Sequence, residues 1–159
     1  MKCLILPHIH IHNANALSSP FSIGFPAMTA WLGFCHALQR KLVQSGLTEL
    51  SLNSVAVVCH HCDVQAYRGE GDLVHSLVGS GTPLDKNGVR SPFIEEARCH
   101  LDVSLIIEWR GHEEYVEHPR FAERLLSIIA TMKVAGGDVL DLHPPTVVSV
   151  VETSDTVEL

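Results

Sequence analysis

The chain has 159 residues, 46% of them hydrophobic and 18% charged, and a formal net charge of −7 with histidine neutral. This length and apolar share support one domain with a real core and exclude an intrinsically disordered chain. The acidic balance argues against a stand-alone nucleic-acid binder with a basic surface, although eleven histidines soften it wherever they are protonated against phosphate.

Residues 4–12 read as a strand, with Leu4, Leu6, His8, His10 and His12 on one face and Ile5, Ile9 and Ile11 on the other. The stretch 13–26 follows as a long polar connection. Gly24 permits backbone angles other residues avoid, and Pro26 suits the first position of a helix. Such a loop points amide N–H groups at whatever sits before the helix, a natural cradle for phosphate. Residues 27–45 read as that helix, with Ala27, Trp31, Phe34, Cys35, Leu38 and Leu42 facing the core and Gly46 as the stop. Residues 54–67 form a second strand region, whose Val55-Ala56-Val57-Val58 run suits burial on both faces.

Residues 69–91 read as an inserted arm, rich in glycine, with Pro83 and an Asp85-Lys86-Asn87-Gly88 turn signal. Residues 98–110 are a third strand, with Leu101, Val103, Leu105, Ile107 and Trp109 opposite Asp102, Ser104, Ile106 and Glu108. Pro119 opens a second helix with the stripe Phe121, Leu125, Ile128, Ile129 and Met132, and Gly136-Gly137 ends it. A fourth strand begins at Val139, Pro144-Pro145 breaks it, and residues 146–152 offer a further strand before a polar tail over about 153–159. The order β-α-β-β-α-β predicts an α+β fold with a ferredoxin-like, RNA-recognition-motif-like core. It makes one domain over 1–159, with the arm between the second and third strands.

Five cysteines, an odd number, do not form a disulfide framework and fit a reducing cytoplasm. The first seven residues are too short for the apolar part of a secretory signal, and no apolar run approaches the roughly 20 residues that span a bilayer. His8, His10 and His12 stand about 7 Å apart along a regular strand with no carboxylate between them, which suits a polar, RNA-facing sheet surface better than a metal. Cys59-His60-His61-Cys62 resembles half of a zinc site, but strand alternation sends its cysteines to opposite faces, so Cys59 and Cys99 read as buried apolar residues. No metal and no cofactor are expected, and neither a nucleotide-binding glycine fingerprint nor a nucleophile elbow is present.

For RNA contact the candidates are Asn13, Asn15, Ser18 and Ser19 for phosphate, 2′-OH or base edges, and Phe25 for stacking. His36 shares a helix face with Arg40. Arg40, Lys41, Arg90 and Arg98 can pair with phosphate, and Gly136 and Gly137 permit close backbone approach.

Asn13-Ala14-Asn15-Ala16, Ser18-Ser19-Pro20, Gly24-Phe25-Pro26 and Gly33-Phe34-Cys35-His36-Ala37-Leu38-Gln39-Arg40 together resemble the second subunit of the type I-F CRISPR surveillance (Csy) complex, the Cas-five class. Weaker likeness continues through Pro83-Leu84-Asp85-Lys86-Asn87-Gly88, Ile94-Glu95-Glu96-Ala97-Arg98, Leu101-Asp102-Val103-Ser104-Leu105 and Met132-Lys133-Val134-Ala135-Gly136-Gly137. The resemblance implies a ferredoxin-like core with an arm and a glycine-rich loop after the second helix, in a chain shortened at its C-terminal side. It implies a non-catalytic subunit that binds the 5′ handle of the CRISPR RNA and bridges the large and backbone subunits, with target DNA as a further partner within the complex and no membrane. Base pairing by the guide would then read the target. Two alternatives stand beside this reading. One is a shortened variant or mimic that docks on CRISPR partners and modulates or inhibits assembly. The other is a CRISPR-repeat endoribonuclease that uses His36, with Arg40 one helical turn away.

Overall fold

In the computed structural model, which describes residues 2–78, 84–89 and 96–149, the first strand, β1, runs over Lys2–Asn15. A small hairpin follows, β2 (Leu17–Ser19) and β3 (Ser22–Ile23), and then helix α1 (Met28–Gln44). Strand β4 (Ser51–Val64) leads to a second small hairpin, β5 (Ala66–Tyr67) with β6 (Ser76–Leu77), and to β7 (Arg98–Arg110). The chain continues through the short α2 (Glu113–Glu117), α3 (Pro119–Ile129), β8 (Lys133–Val134), β9 (Gly137–Asp141) and β10 (Thr146–Ser149).

One antiparallel sheet organises the molecule, in the order β4-β7-β1-β9-β8. Along its outer side β1 pairs with β10 over Lys2 to Ile5 and with β9 over His10 to His12. Helices α1 and α3 cover one face. Trp31, Phe34, Leu38 and Leu42 of α1 and Phe121, Leu125 and Ile129 of α3 join Leu4, Leu6, Ile9, Ile11, Val103, Leu105 and Ile107 of the sheet in a single buried cluster. The apolar stripe of α1 and the alternation of β7 thus become the core by simple periodicity. Half-buried Gln39 ties helix to sheet: its Nε2 donates to the Leu50 carbonyl (2.5 Å) and its Oε1 accepts from the Leu52 N–H (2.6 Å). The indole N–H groups of Trp31 and Trp109 are buried and meet no acceptor among the described residues.

Three expectations are corrected. The first concerns β1. Leu4 and Leu6 do not share a face with the histidines, because the register with β7 shifts between Leu6 and Ile9, and His8 takes φ of +45° there. The extra residue of this bulge inverts the alternation, so Leu4, Leu6, Ile9 and Ile11 are all buried while His8 and His10 are exposed. A second shift at Asn13 (φ +57°) inverts it again, burying Ala14 and Ala16. The second correction concerns β4. It is the outermost strand beside β7, with Ala56 and Val58 exposed and Val55 and Val57 half-buried, so its valine run is covered on one face alone. The third concerns stretch 13–26, whose middle is not a plain loop but the β2–β3 hairpin, closed by Gly24 N–H donating to the Ala16 carbonyl (2.8 Å). Pro26 is buried one residue before the N-cap, Ala27, rather than in the first helical turn. The anticipated arm falls partly, and the polar tail wholly, outside the described residues.

Candidate nucleic-acid interface

At the end of the sheet where β1 leaves Asn13, three chain segments meet. Asn15 N–H donates to the Ala135 carbonyl (2.9 Å) and Ala16 N–H to the Ala97 carbonyl (2.9 Å), which fixes the start of the hairpin between β7 and the α3–β9 connection. Arg98 Nη1 reaches the Asn13 carbonyl (3.3 Å), and its Nη2 pairs with Glu96. Gly136, with φ of +81°, lies against Asn15 and Arg98. At Gly137 an added Cβ would stand 2.6 Å from the His12 carbonyl and 2.7 Å from the Ala14 nitrogen, so only glycine lets β9 come this close to β1. Asn13, Asn15, Arg98, Gly136 and Gly137, far apart in sequence, therefore form one junction.

The hairpin extends this junction outward. Its hydroxyls hold its own turn: Ser18 Oγ donates to the Ser22 carbonyl (3.1 Å) and Ser19 Oγ accepts from Phe21 N–H (3.3 Å). Asn15 Oδ1 likewise accepts from Leu17 N–H (3.0 Å), leaving its amide donors outward. At the tip Phe21 is 98% exposed. Phe25, by contrast, stacks on Trp31 with ring centroids 5.4 Å apart and packs against the core. The remaining described candidates are on α1. His36 and Arg40 are exposed on α1, and Lys41, in its last turn, donates to Thr131 Oγ1 (3.2 Å). At about 1.5 Å per residue, Lys41 lies roughly 20 Å along the axis from the start of α1. Arg90 lies outside the described residues.

The uncovered sheet face beside the junction carries groups that periodicity alone did not bring together. His12 stacks on His100 (4.4 Å), whose Nδ1 accepts the Asn13 N–H (3.2 Å). An open groove of about 480 Å³ runs past His10, His12, His61, His100, Asp102 and Leu140. His8 stacks on His60 (4.3 Å), and His8 Nδ1 lies 3.1 Å from both Asp102 carboxylate oxygens. Burial raises the Asp102 carboxyl, but the hydrogen bond and charge of His8, with His10 and His60 behind it, outweigh that and hold it below its ordinary value. Beneath the stacked pair lies Ser104, the one buried polar side chain among the described residues. Its hydroxyl accepts from His8 N–H (3.1 Å) and sits 2.7 Å from His60 Nε2.

The cysteines behave differently. Cys99 is buried, and burial, reinforced by neighbouring Cys62, pushes its thiol up to about 12. Cys59 pairs with buried Val103 in step with Val55 and Val57, yet it is exposed rather than buried, because β4 is the outermost strand. The register slip after it brings Cys62, paired with Leu101, to the same face as Cys59 and not to the opposite one. Phe21, His60, His100, Asp102 and Ser104 were thus absent from the sequence candidates. The pairing of β7 with both neighbours is the signal that unites the last four, and it exists only once register is known.

Among the described residues no helix is long and apolar enough to cross a membrane. Residues 4–158 match the family model described as CRISPR-associated protein (Cas_Csy2). The CRISPR-associated protein Csy2 of Pseudomonas aeruginosa (strain UCBPP-PA14) is 36% identical over 139 residues, which cover 86% of this chain and 42% of that relative. The chain thus spans less than half the length of the curated relative it matches.

Proposed function

The chain belongs to the CRISPR-associated Csy2 family, and from that premise we propose that it is a non-catalytic subunit of a type I-F RNA-guided Csy complex in the cytoplasm. In this reading it binds the 5′ handle of the CRISPR RNA and joins the large subunit to the backbone subunit. The strand order β4-β7-β1-β9 supports reading the core as ferredoxin-like, the arrangement expected of such a subunit.

The observation that carries the proposal is the junction of Asn13, Asn15, Arg98 and Gly136 beneath an exposed hairpin. It offers amide donors, a guanidinium and uncrowded backbone for sugar and phosphate, and Phe21 offers a ring for a base. His36 and Arg40 are exposed on α1 with no hydrogen-bond or ion-pair partner among the described residues to orient them, which favours binding over cleavage. Electrophoretic mobility and size-exclusion measurements on the chain, CRISPR RNA and the large subunit test it. Retention of handle-bearing RNA is expected, with Arg98→Glu and Phe21→Ala each weakening it at least about fivefold; base stacking alone is worth about 1–3 kcal/mol. Equal retention of RNA lacking the handle, or no effect of either substitution, would overturn it.

A further inference from the structure

Two bulges, in two different strands, face each other across β7. In β1 the register slips between Leu6, paired with Leu105, and Ile9, paired with Val103. In β4 it slips between Cys59, paired with Val103, and His61, paired with Asp102. The residues displaced are His8 and His60. Both lie beside the same short segment of β7, and there the ligand-capable atoms of His8, His60 and Asp102 lie within 4.8 Å of one another. A single bulge costs ladder hydrogen bonds and locally re-aims a side chain. Here the first also places a non-glycine residue at φ +45°, a conformation that costs energy and marks functional positions more often than chance ones.

We propose that His8, His60 and Asp102 hold a divalent transition-metal ion, with His10 as the fourth ligand. The donor set is three imidazoles and one carboxylate, which suits zinc, cobalt(II) or nickel and not the oxygen-seeking magnesium or calcium. Tetrahedral zinc bonds of about 2.0–2.2 Å separate ligand atoms by roughly 3.3–3.5 Å. His8 Nδ1 lies 3.1 Å from the Asp102 oxygens and His10 Nε2 lies 3.7 Å from Asp102 Oδ2, each within a few tenths of an ångström of that spacing. His60 is stacked on His8 and would have to tilt out of that stack to close the site. Ser104 is its outer support: one hydroxyl is bonded to the backbone of His8 and the ring of His60, so it orients both bulge residues at once. His143, 5.7 Å from the His8 ring, rims the site. The metal would lock three strands of the sheet together on the side that the helices leave bare.

Calorimetric titration of the metal-free chain with zinc, and visible spectra of its cobalt(II) form, test the site. One equivalent bound, with tetrahedral cobalt bands, is expected. Asp102→Asn and His60→Gln should each weaken zinc at least about tenfold, and Ser104→Ala should do so to a smaller degree. His75→Gln, in the β5–β6 connection, should bind as the parent does. Should Asp102→Asn fail to fold, as judged by far-ultraviolet circular dichroism, His60→Gln on the outermost strand carries the comparison. Zinc binding of equal strength in parent and His60→Gln, or no binding by the folded parent, would overturn the proposal.

Discussion

The two faces of the one sheet are built on different rules. The face under α1 and α3 is filled largely by Leu, Ile, Val, Phe and Trp side chains that period-two and period-3.6 spacing place once the bulges are allowed for. The bare face is held by polar pairings instead: His8 on His60, His12 on His100, Asp102 between two histidines and Ser104 beneath them. The lesson is that apolar burial makes this sheet stable, while broken register, not composition, decides what its open side presents.

Substitutions on each side sharpen that contrast. The largest effect is expected from Leu105→Ala in the core, since Leu105 is fully buried; it should cost about 2–5 kcal/mol in denaturant unfolding. Next comes Gln39→Ala, which orphans the Leu50 carbonyl and the Leu52 N–H, for about 1–3 kcal/mol by the same measurement. On the open face Ser104→Ala should cost only about 1 kcal/mol, because it removes hydrogen bonds but no packing. A core-sized loss there would erase the distinction between the faces. The smallest effect belongs to Asp102→Asn, and it depends on pH. The folded carboxyl sits below its ordinary value, so its contribution is present above the unfolded range near ~4 and is lost as pH falls through the lowered folded value. Thermal melts of parent and variant should therefore differ at pH 6 and converge at the acid end; a gap that widens on acidification would contradict the assignment.

Much of this was legible beforehand. The stripe of α1 from Trp31 to Leu42 and the alternation of β7 from Leu101 to Trp109 are both found buried where spacing put them, because each element is regular over its whole length. In β1 the reading failed at Pro7-His8, since a bulge leaves no mark in a periodicity analysis that assumes none. In β4 it failed because a valine run looks alike in a central strand and in an outer one. Of the interface, the residues of the β1 exit and the Gly-Gly turn come together across the chain, whereas Lys41 is held beside the end of α3 by helix geometry that a one-dimensional motif does not show. The family likeness identified the motif, but the pairing of β9 with β1 is what brought its distant halves into contact.

The buried indoles of Trp31 and Trp109 carry a practical corollary. They are the chain's two tryptophans, one in the helix layer and one in the sheet. Both are shielded from water, so intrinsic emission reports solely on the protein's interior. A ligand captured by the imidazole-lined side leaves that glow blue and steady, whereas loss of the tertiary structure turns it red; one optical channel thus separates occupancy from denaturation without an added dye.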